Sequence, residues 1–348
     1  MKISIGTSIK DGPWGGGNLF AINLRNFLIS RGHKVITTLD DEDIDIILIT
    51  EPRKTSESSA FTHMDVKNYL NVVNPQALVM HRINECDERK NTNFVNKYLI
   101  EANKIADYTV FVSTWLKNLY TKQGISKKNN HVILAGANKE IFHSKDRSDW
   151  QDGDKLKIVT HHWGANWNKG FETYTKIDTL LDHDYWKDKI EFTYIGNLPK
   201  NFIFKNTKHV APLSGLDLAR EIKKNHLYIT GSLNEPSGNH HIEGSQCGLP
   251  VMFIDSGGVK EYCQNFGIEF TNYNLEEKIE YVFKNYKKLS VNMNNYPYNS
   301  NLMGEDFLDL FSEMNDMKKQ LLSERTVNSS GYFEKKLFRF KRFLKTKN

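Results

Sequence analysis

Short apolar runs alternate with longer amphipathic stretches over most of the chain. Residues 2–6 predict a first strand, followed by a glycine-rich loop and a helix over about 18–30. Arg31-Gly32-His33 then supplies a basic residue and a glycine where a helix ends. Further strands are predicted at 34–38, 44–50, 77–81, 108–113 and 130–134. Residues 93–106 are predicted helical, because Phe94, Tyr98, Leu99 and Ile105 recur at helical spacing. Residues 143–155 are polar and without period, which predicts a linker. The alternation then restarts, with strands at 156–161, 190–195, 226–230 and 250–254 and helices at 170–181, 216–224, 242–247 and 259–265. A final amphipathic helix is predicted over 303–322, with Phe307, Leu310, Phe311, Met314, Met317 and Leu321 on one side. Alternating strands and helices predict parallel sheets covered by helices. Two such runs in tandem predict an α/β protein of two Rossmann-like, doubly wound domains facing a cleft. Their expected limits are 1–145 and 155–302, followed by the closing helix 303–322 and a tail, 323–348.

Composition adds limits to this picture. A chain of 348 residues with 39% hydrophobic and 12% aromatic residues can bury two cores. No apolar run reaches the ~20 residues that span a bilayer, and the first residues turn polar too soon for a signal peptide. The cytoplasm is therefore the expected compartment. Cys86, Cys247 and Cys263 have neither disulfide nor zinc spacing and are expected to be reduced. The net charge of +5 is unevenly spread: seven basic residues and one acid lie between Phe333 and Asn348, leaving −1 for residues 1–332. A nearly neutral body argues against a nucleic-acid groove. The tail itself can form a basic amphipathic helix, with Phe333, Leu337, Phe340 and Leu344 on one face. It predicts peripheral contact of 333–347 with an anionic membrane, a solvated or docked tail being the alternative.

The richest chemistry lies in Glu235-Pro-Ser-Gly-Asn-His-His-Ile-Glu243. A strand at 226–230 runs into a loop, and Ser237, Gly238 and Asn239 open a helix. A glycine and small polar residues at a helix start leave backbone N–H groups and the positive dipole end free for a phosphate. At ~1.5 Å rise per residue the carboxylates of Glu235 and Glu243 stand about 10 Å apart. That spacing is too wide for the acid–base pair of a glycosidase, and it suits two anchors along an extended ligand. Glu-x7-Glu followed by Gly248-Leu249-Pro250-Val251 and Gly257-Gly258-Val259-Lys260-Glu261 resembles the donor site of retaining glycosyltransferases of the GT-B fold, family 4, of the bacterial polysaccharide type.

That resemblance implies an enzyme of the hexosyltransferase kind, with the nucleotide sugar on domain 155–302 and a glycan or lipid-linked acceptor on domain 1–145. Glu243 would bind the ribose hydroxyls, Glu235 would face the donor sugar, and Ser237, Gly238 and Asn239 would lie by the diphosphate. His161-His-Trp-Gly-Ala-Asn-Trp-Asn-Lys-Gly170 supplies the Lys-Gly of the family's diphosphate loop as Lys169-Gly170, with Asn166 beside it. The family's Arg is missing, because Gly164 stands at its position. Compensation for it is then left to His162, Asn166 or a basic residue of the other domain. Gly16 and Gly17, in the loop after the first strand, are implied to border the cleft and approach the donor, although such a loop also serves as a plain turn. His81 resembles the family's cleft histidine that contacts the donor sugar. Arg82 and Asn84 are candidates for the acceptor side, with a salt-bridged, helix-capping loop as the alternative. Ser113 and Thr114 read primarily as a helix cap, and Asn138 as a structural turn before the linker. No metal and no cofactor is expected: adjacent histidines (161–162, 240–241) lack a ligand partner at suitable spacing, and the nucleotide sugar is a substrate. A GT-B epimerase or phosphorylase and a non-catalytic nucleotide- or glycan-binding protein are the competing readings.

Overall fold

The computed structural model describes residues 1–10, 12 and 14–325. The segment 333–347, expected to contact a membrane, lies outside the described residues, as does the rest of the tail apart from 323–325. Among the described residues twelve strands build two sheets, and every strand pair in them is parallel. In chain order they are β1 (Lys2–Ile5), β2 (Lys34–Ile36), β3 (Ile46–Ile49), β4 (Leu78–Ile83), β5 (Tyr108–Phe111), β6 (Asn130–Val132), β7 (Leu156–His162), β8 (Ile190–Gly196), β9 (Lys208–Val210), β10 (Leu227–Thr230), β11 (Val251–Phe253) and β12 (Gly267–Glu269). The first sheet runs β2-β1-β3-β4-β5-β6 and the second β12-β11-β10-β7-β8-β9. Helices cover both faces, so the central strands are largely apolar, as in the buried run Ile46, Ile47, Leu48, Ile49. The second sheet reverses direction between β7 and β10, and ligands of open parallel sheets sit at such a switch point, beyond the carboxyl ends of the strands.

Residues 143–155 contain no helix or strand. Three differences from the sequence expectation have plain causes. The helix Leu275–Asn292 was not anticipated, although Leu275, Ile279, Val282 and Tyr286 are buried at helical spacing; its many lysines and glutamates obscure that stripe. The strands β9 and β12 are three residues long, too short to show a period. The closing helix is two helices, Ser300–Asp316 and Lys318–Glu324, divided at Met317.

These last helices return to the first sheet's core. Met303, Phe307, Leu310, Phe311, Met314 and Leu321 join Phe20, Leu24 and Phe27 of the helix Gly16–Ser30 in one apolar cluster, with the rings of Phe20 and Phe307 centred 5.3 Å apart. Gly304 makes the approach possible, since a Cβ there would lie 2.5 Å from the Phe27 ring. The chain therefore starts in one layer, builds the other, and ties back to the first. A second tie is Glu261, whose Oε1 and Oε2 accept the backbone N–H groups of Trp115 (2.9 Å) and Thr114 (2.8 Å). A carboxylate on the short helix after β11, Val259–Cys263, thus caps the helix Thr114–Lys122 of the other half, alongside Ser113 Oγ, which accepts from Leu116 N–H.

Candidate active site

The loops leaving β7 and β10 meet at the switch point. The first ends in a tight turn, Trp167–Lys169, and then Gly170 with φ 103°. A Cβ on Gly170 would sit 2.7 Å from the carbonyl carbon of Gly231, so only glycine lets the two loops touch. The result delivers Lys169 Nζ to 2.6 Å from Glu235 Oε2, both side chains being buried. The Glu235 loop is shaped from behind by Gly257 (φ 72°), where a Cβ would strike the Glu235 carbonyl oxygen, and by Gly258, whose N–H donates to that oxygen at 2.8 Å.

A third charge comes from the other half of the molecule. β4 runs into the short helix Asp87–Lys90, and Arg89 Nη1 lies 3.6 Å from Glu235 Oε1. Arg89 is itself held by Glu85, with Nε to Oε1 at 2.8 Å and Nη2 to Oε2 at 3.0 Å, and Lys90 shares the same carboxylate at 2.8 Å. Two amides bind the halves at this point: Asn168 Nδ2 donates to Arg89 O and Asn234 Nδ2 to Glu88 O, each at 3.3 Å. Burial alone would raise the Glu235 pKa, yet Lys169 and Arg89 outweigh it and hold the carboxyl down at about 2. Burial, together with repulsion from Arg89 against the pull of Glu235, lowers Lys169. The cluster therefore carries two cations on one ionised carboxylate, and its surplus is positive.

Beside it the helix Asn239–Gln246 begins at Gly238 (φ 84°), with no side chain capping its first turn. Ser237, Gly238 and Asn239 face the same cavity, and the glycine loop of the first half closes over them: a Cβ on Gly16 would lie 3.1 Å from Asn239 Cγ. Further along this helix Glu243 is buried, its Oε2 2.8 Å from His161 Nε2. The hydroxyl of Tyr228 accepts the His161 backbone N–H at 3.0 Å and lies 3.0 Å from His161 Nδ1. Tyr228 thus anchors the ring at Nδ1 while Nε2 is turned to the carboxylate. Glu243 is thereby fixed in place with its other oxygen available.

The cavity that joins these groups encloses about 500 Å³, within the range that holds ligands of nucleotide size. Of the residues singled out from sequence, Gly16, Gly17, Arg82, Asn84, Asn166, Lys169, Glu235, Ser237, Gly238, Asn239 and Glu243 all line it. His81 does not. It sits within β4, fully buried, with Nδ1 3.0 Å from Asn103 Oδ1 and Nε2 sealed without a partner, and burial lowers its pKa to about 4. Successive strand residues face opposite sides, and it is Arg82 that turns to the cleft. His81 is a core histidine, and the assignment of a cleft role to it is corrected. His162 is not the missing cation either: burial drives its pKa well below the ordinary value, and Nε2 shares a hydrogen bond with the Tyr174 hydroxyl at 2.7 Å. Arg89 and His161 line the cavity as well, and the sequence reading gave neither a role. Among the described residues no cluster of three or more His, Cys, Asp or Glu is arranged to hold a metal, and no helix is long and apolar enough to cross a membrane.

No family model matches the chain, and no curated protein matches its sequence. The fold is shared with solved structures. A glycosyltransferase from Rickettsia africae superposes with a TM-score of 0.64 at 15% identity, covering 90% of this chain and 98% of the other. HepE from Anabaena, solved in complex with UDP, gives 0.65 at 11% identity over 90% of this chain and all of the other. Sucrose-phosphate synthase from Thermosynechococcus elongatus gives 0.61 at 13% identity over 93% of this chain and all of that one. The two sheets, their strand order and the facing halves are those of the GT-B fold of glycosyltransferases.

Proposed function

We propose that the protein is a retaining glycosyltransferase of the family-4 type, which moves a hexosyl group from a nucleoside-diphosphate sugar to a glycan or lipid-linked acceptor of a cell-surface polysaccharide. The observation that carries this reading is the line of groups along one cavity wall: Glu235 with its two cations, an uncapped helix start, and Glu243 fixed by His161. A ribose diol would bind Glu243, since a carboxylate accepts two O–H bonds. The diphosphate would lie over the N–H groups of Ser237, Gly238 and Asn239. There Lys169 and Arg89 neutralise the charge that grows as the glycosidic bond breaks, the largest kind of catalytic contribution in such sites. Arg89 takes the place of the arginine that Gly164 displaces. The acceptor hydroxyl would attack from the face the nucleotide leaves, giving its proton to the departing phosphate, with Glu235 positioning the sugar. HepE is solved with UDP and with UDP-glucose, which supports a nucleotide sugar as the ligand of this cavity.

A thermal-shift screen against UDP-, GDP-, ADP- and CMP-sugars tests the reading, followed by assay of free nucleotide with and without acceptor. One base family is expected to stabilise the protein, with nucleoside diphosphate released faster when acceptor is present. Stabilisation without any release would leave a binding protein, and turnover to an isomeric nucleotide sugar would leave an epimerase.

A further inference from the structure

Every cation at the switch point has a carboxylate partner except one. Lys169 and Arg89 share Glu235, and Arg89 and Lys90 share Glu85. Arg82 has none. It is 5% exposed and lines the cavity, and its guanidinium carbon lies 3.7 Å from the centre of the Phe20 ring. Among the described residues neither a carboxylate nor a hydrogen-bond acceptor meets its five donors. Burial pulls its pKa down to about 10, which leaves it charged at neutral pH. Stacking on Phe20 satisfies one face of the guanidinium plane but does not replace the counter-ion that a buried charge needs. The edge of the plane, where the paired N–H groups form a fork for an oxyanion, stays open.

The second half of the molecule already offers the donor's phosphates Lys169 and a helix start, with Arg89 reaching across. Arg82 rises from β4 on the opposite wall, next to Asn84 and behind the helix that follows the glycine loop. We propose that Arg82 binds an anionic group carried by the acceptor, a phosphate or a carboxylate, so that the acceptor is an acidic sugar and not a neutral one. This inference rests on the glycosyl-transfer reading.

The test uses the full chain saturated with the nucleoside diphosphate that stabilises it most. Glucose, glucose 1-phosphate and glucuronic acid are then titrated as probes by calorimetry. At least one charged probe is expected to bind tenfold or more tighter than glucose, phosphate or carboxylate being identified by which one does. Arg82→Gln abolishes that preference, and Arg82→Lys, which keeps the charge without the fork, retains about a third of it. Equal binding of charged and neutral probes by the wild type overturns the proposal, as does an undiminished preference in Arg82→Gln with an intact thermal transition. If no nucleoside diphosphate binds at all, the glycosyl-transfer reading fails first; if one binds and the charge preference is absent, only the role of Arg82 falls.

Discussion

The two walls of the cleft are built from the same sheet architecture and carry opposite electrostatic designs. The β7–β12 wall contributes both carboxylates, each immobilised by a partner from its own half: Lys169 on Glu235 and His161 on Glu243. The β1–β6 wall contributes glycine backbone and guanidinium groups, Arg89 reaching across and Arg82 unpaired. One wall thus has its charges paired before any ligand arrives, and on the other Glu85 holds Arg89 while Arg82 is left without a counter-ion. Under the proposed function the diphosphate grip would be divided between the halves, with Arg89 opposite Lys169 supplying the cation that Gly164 does not.

The largest effect should come from Lys169→Ala, which removes the cation on the donor's own wall. Turnover is expected to fall about 10²- to 10³-fold, the size seen when one stabilising donor is removed, as read from nucleotide release at saturating donor. Arg89→Ala should cost about 10²-fold by the same assay. Because a Cβ on Gly164 would meet only Lys169 Cε, at 3.5 Å, there is room for a side chain there. Gly164→Arg is therefore expected to restore at least tenfold of what Arg89→Ala loses; no recovery would show that the cation cannot be moved between walls.

Glu243→Ala should weaken donor binding about 10- to 100-fold, the worth of a charge-assisted hydrogen bond, with a smaller change in turnover; calorimetry with the matching nucleotide checks it. Acid is expected to act on stability and not on donor binding. His81 and His241 are buried neutral with pKa values of about 4, below the ordinary 6.5. Between those values the unfolded chain binds more protons than the folded one, so stability is full above pH 6.5 and declines as pH falls toward 4. Each histidine is expected to account for roughly 3 kcal/mol over that window, and denaturant melts at pH 7, 5.5 and 4.5 would show it. A flat profile would mean that these rings are not sealed.

Much of the β7–β12 wall is legible in the sequence because its residues are local: Glu235, Ser237, Gly238 and Glu243 fall within nine positions, and Lys169-Gly170 sits at a helix start. The periodicity of apolar runs likewise predicts most of both sheets. What escapes is what depends on approach in space. Arg89 meets Glu235 across 146 positions, through a closure no spacing announces. The side that His81 and Arg82 each face depends on the register of β4, and the alternation rule gives opposite faces without saying which one is the cleft. The return of Ser300–Asp316 to the first half is similarly invisible, since an apolar stripe does not name its partner.

The central claim is that a nucleotide sugar lies between Lys169 and Arg89 and is cleaved there. The direct measurement is release of free nucleoside diphosphate by wild type, Lys169→Ala and Arg89→Ala, using the nucleotide sugar that stabilises the fold most. The expected result is acceptor-stimulated release by the wild type and a fall of about 10²-fold or more in each variant, with donor still bound. Release at wild-type rates in both variants, or none from the wild type with any nucleotide sugar, would contradict it.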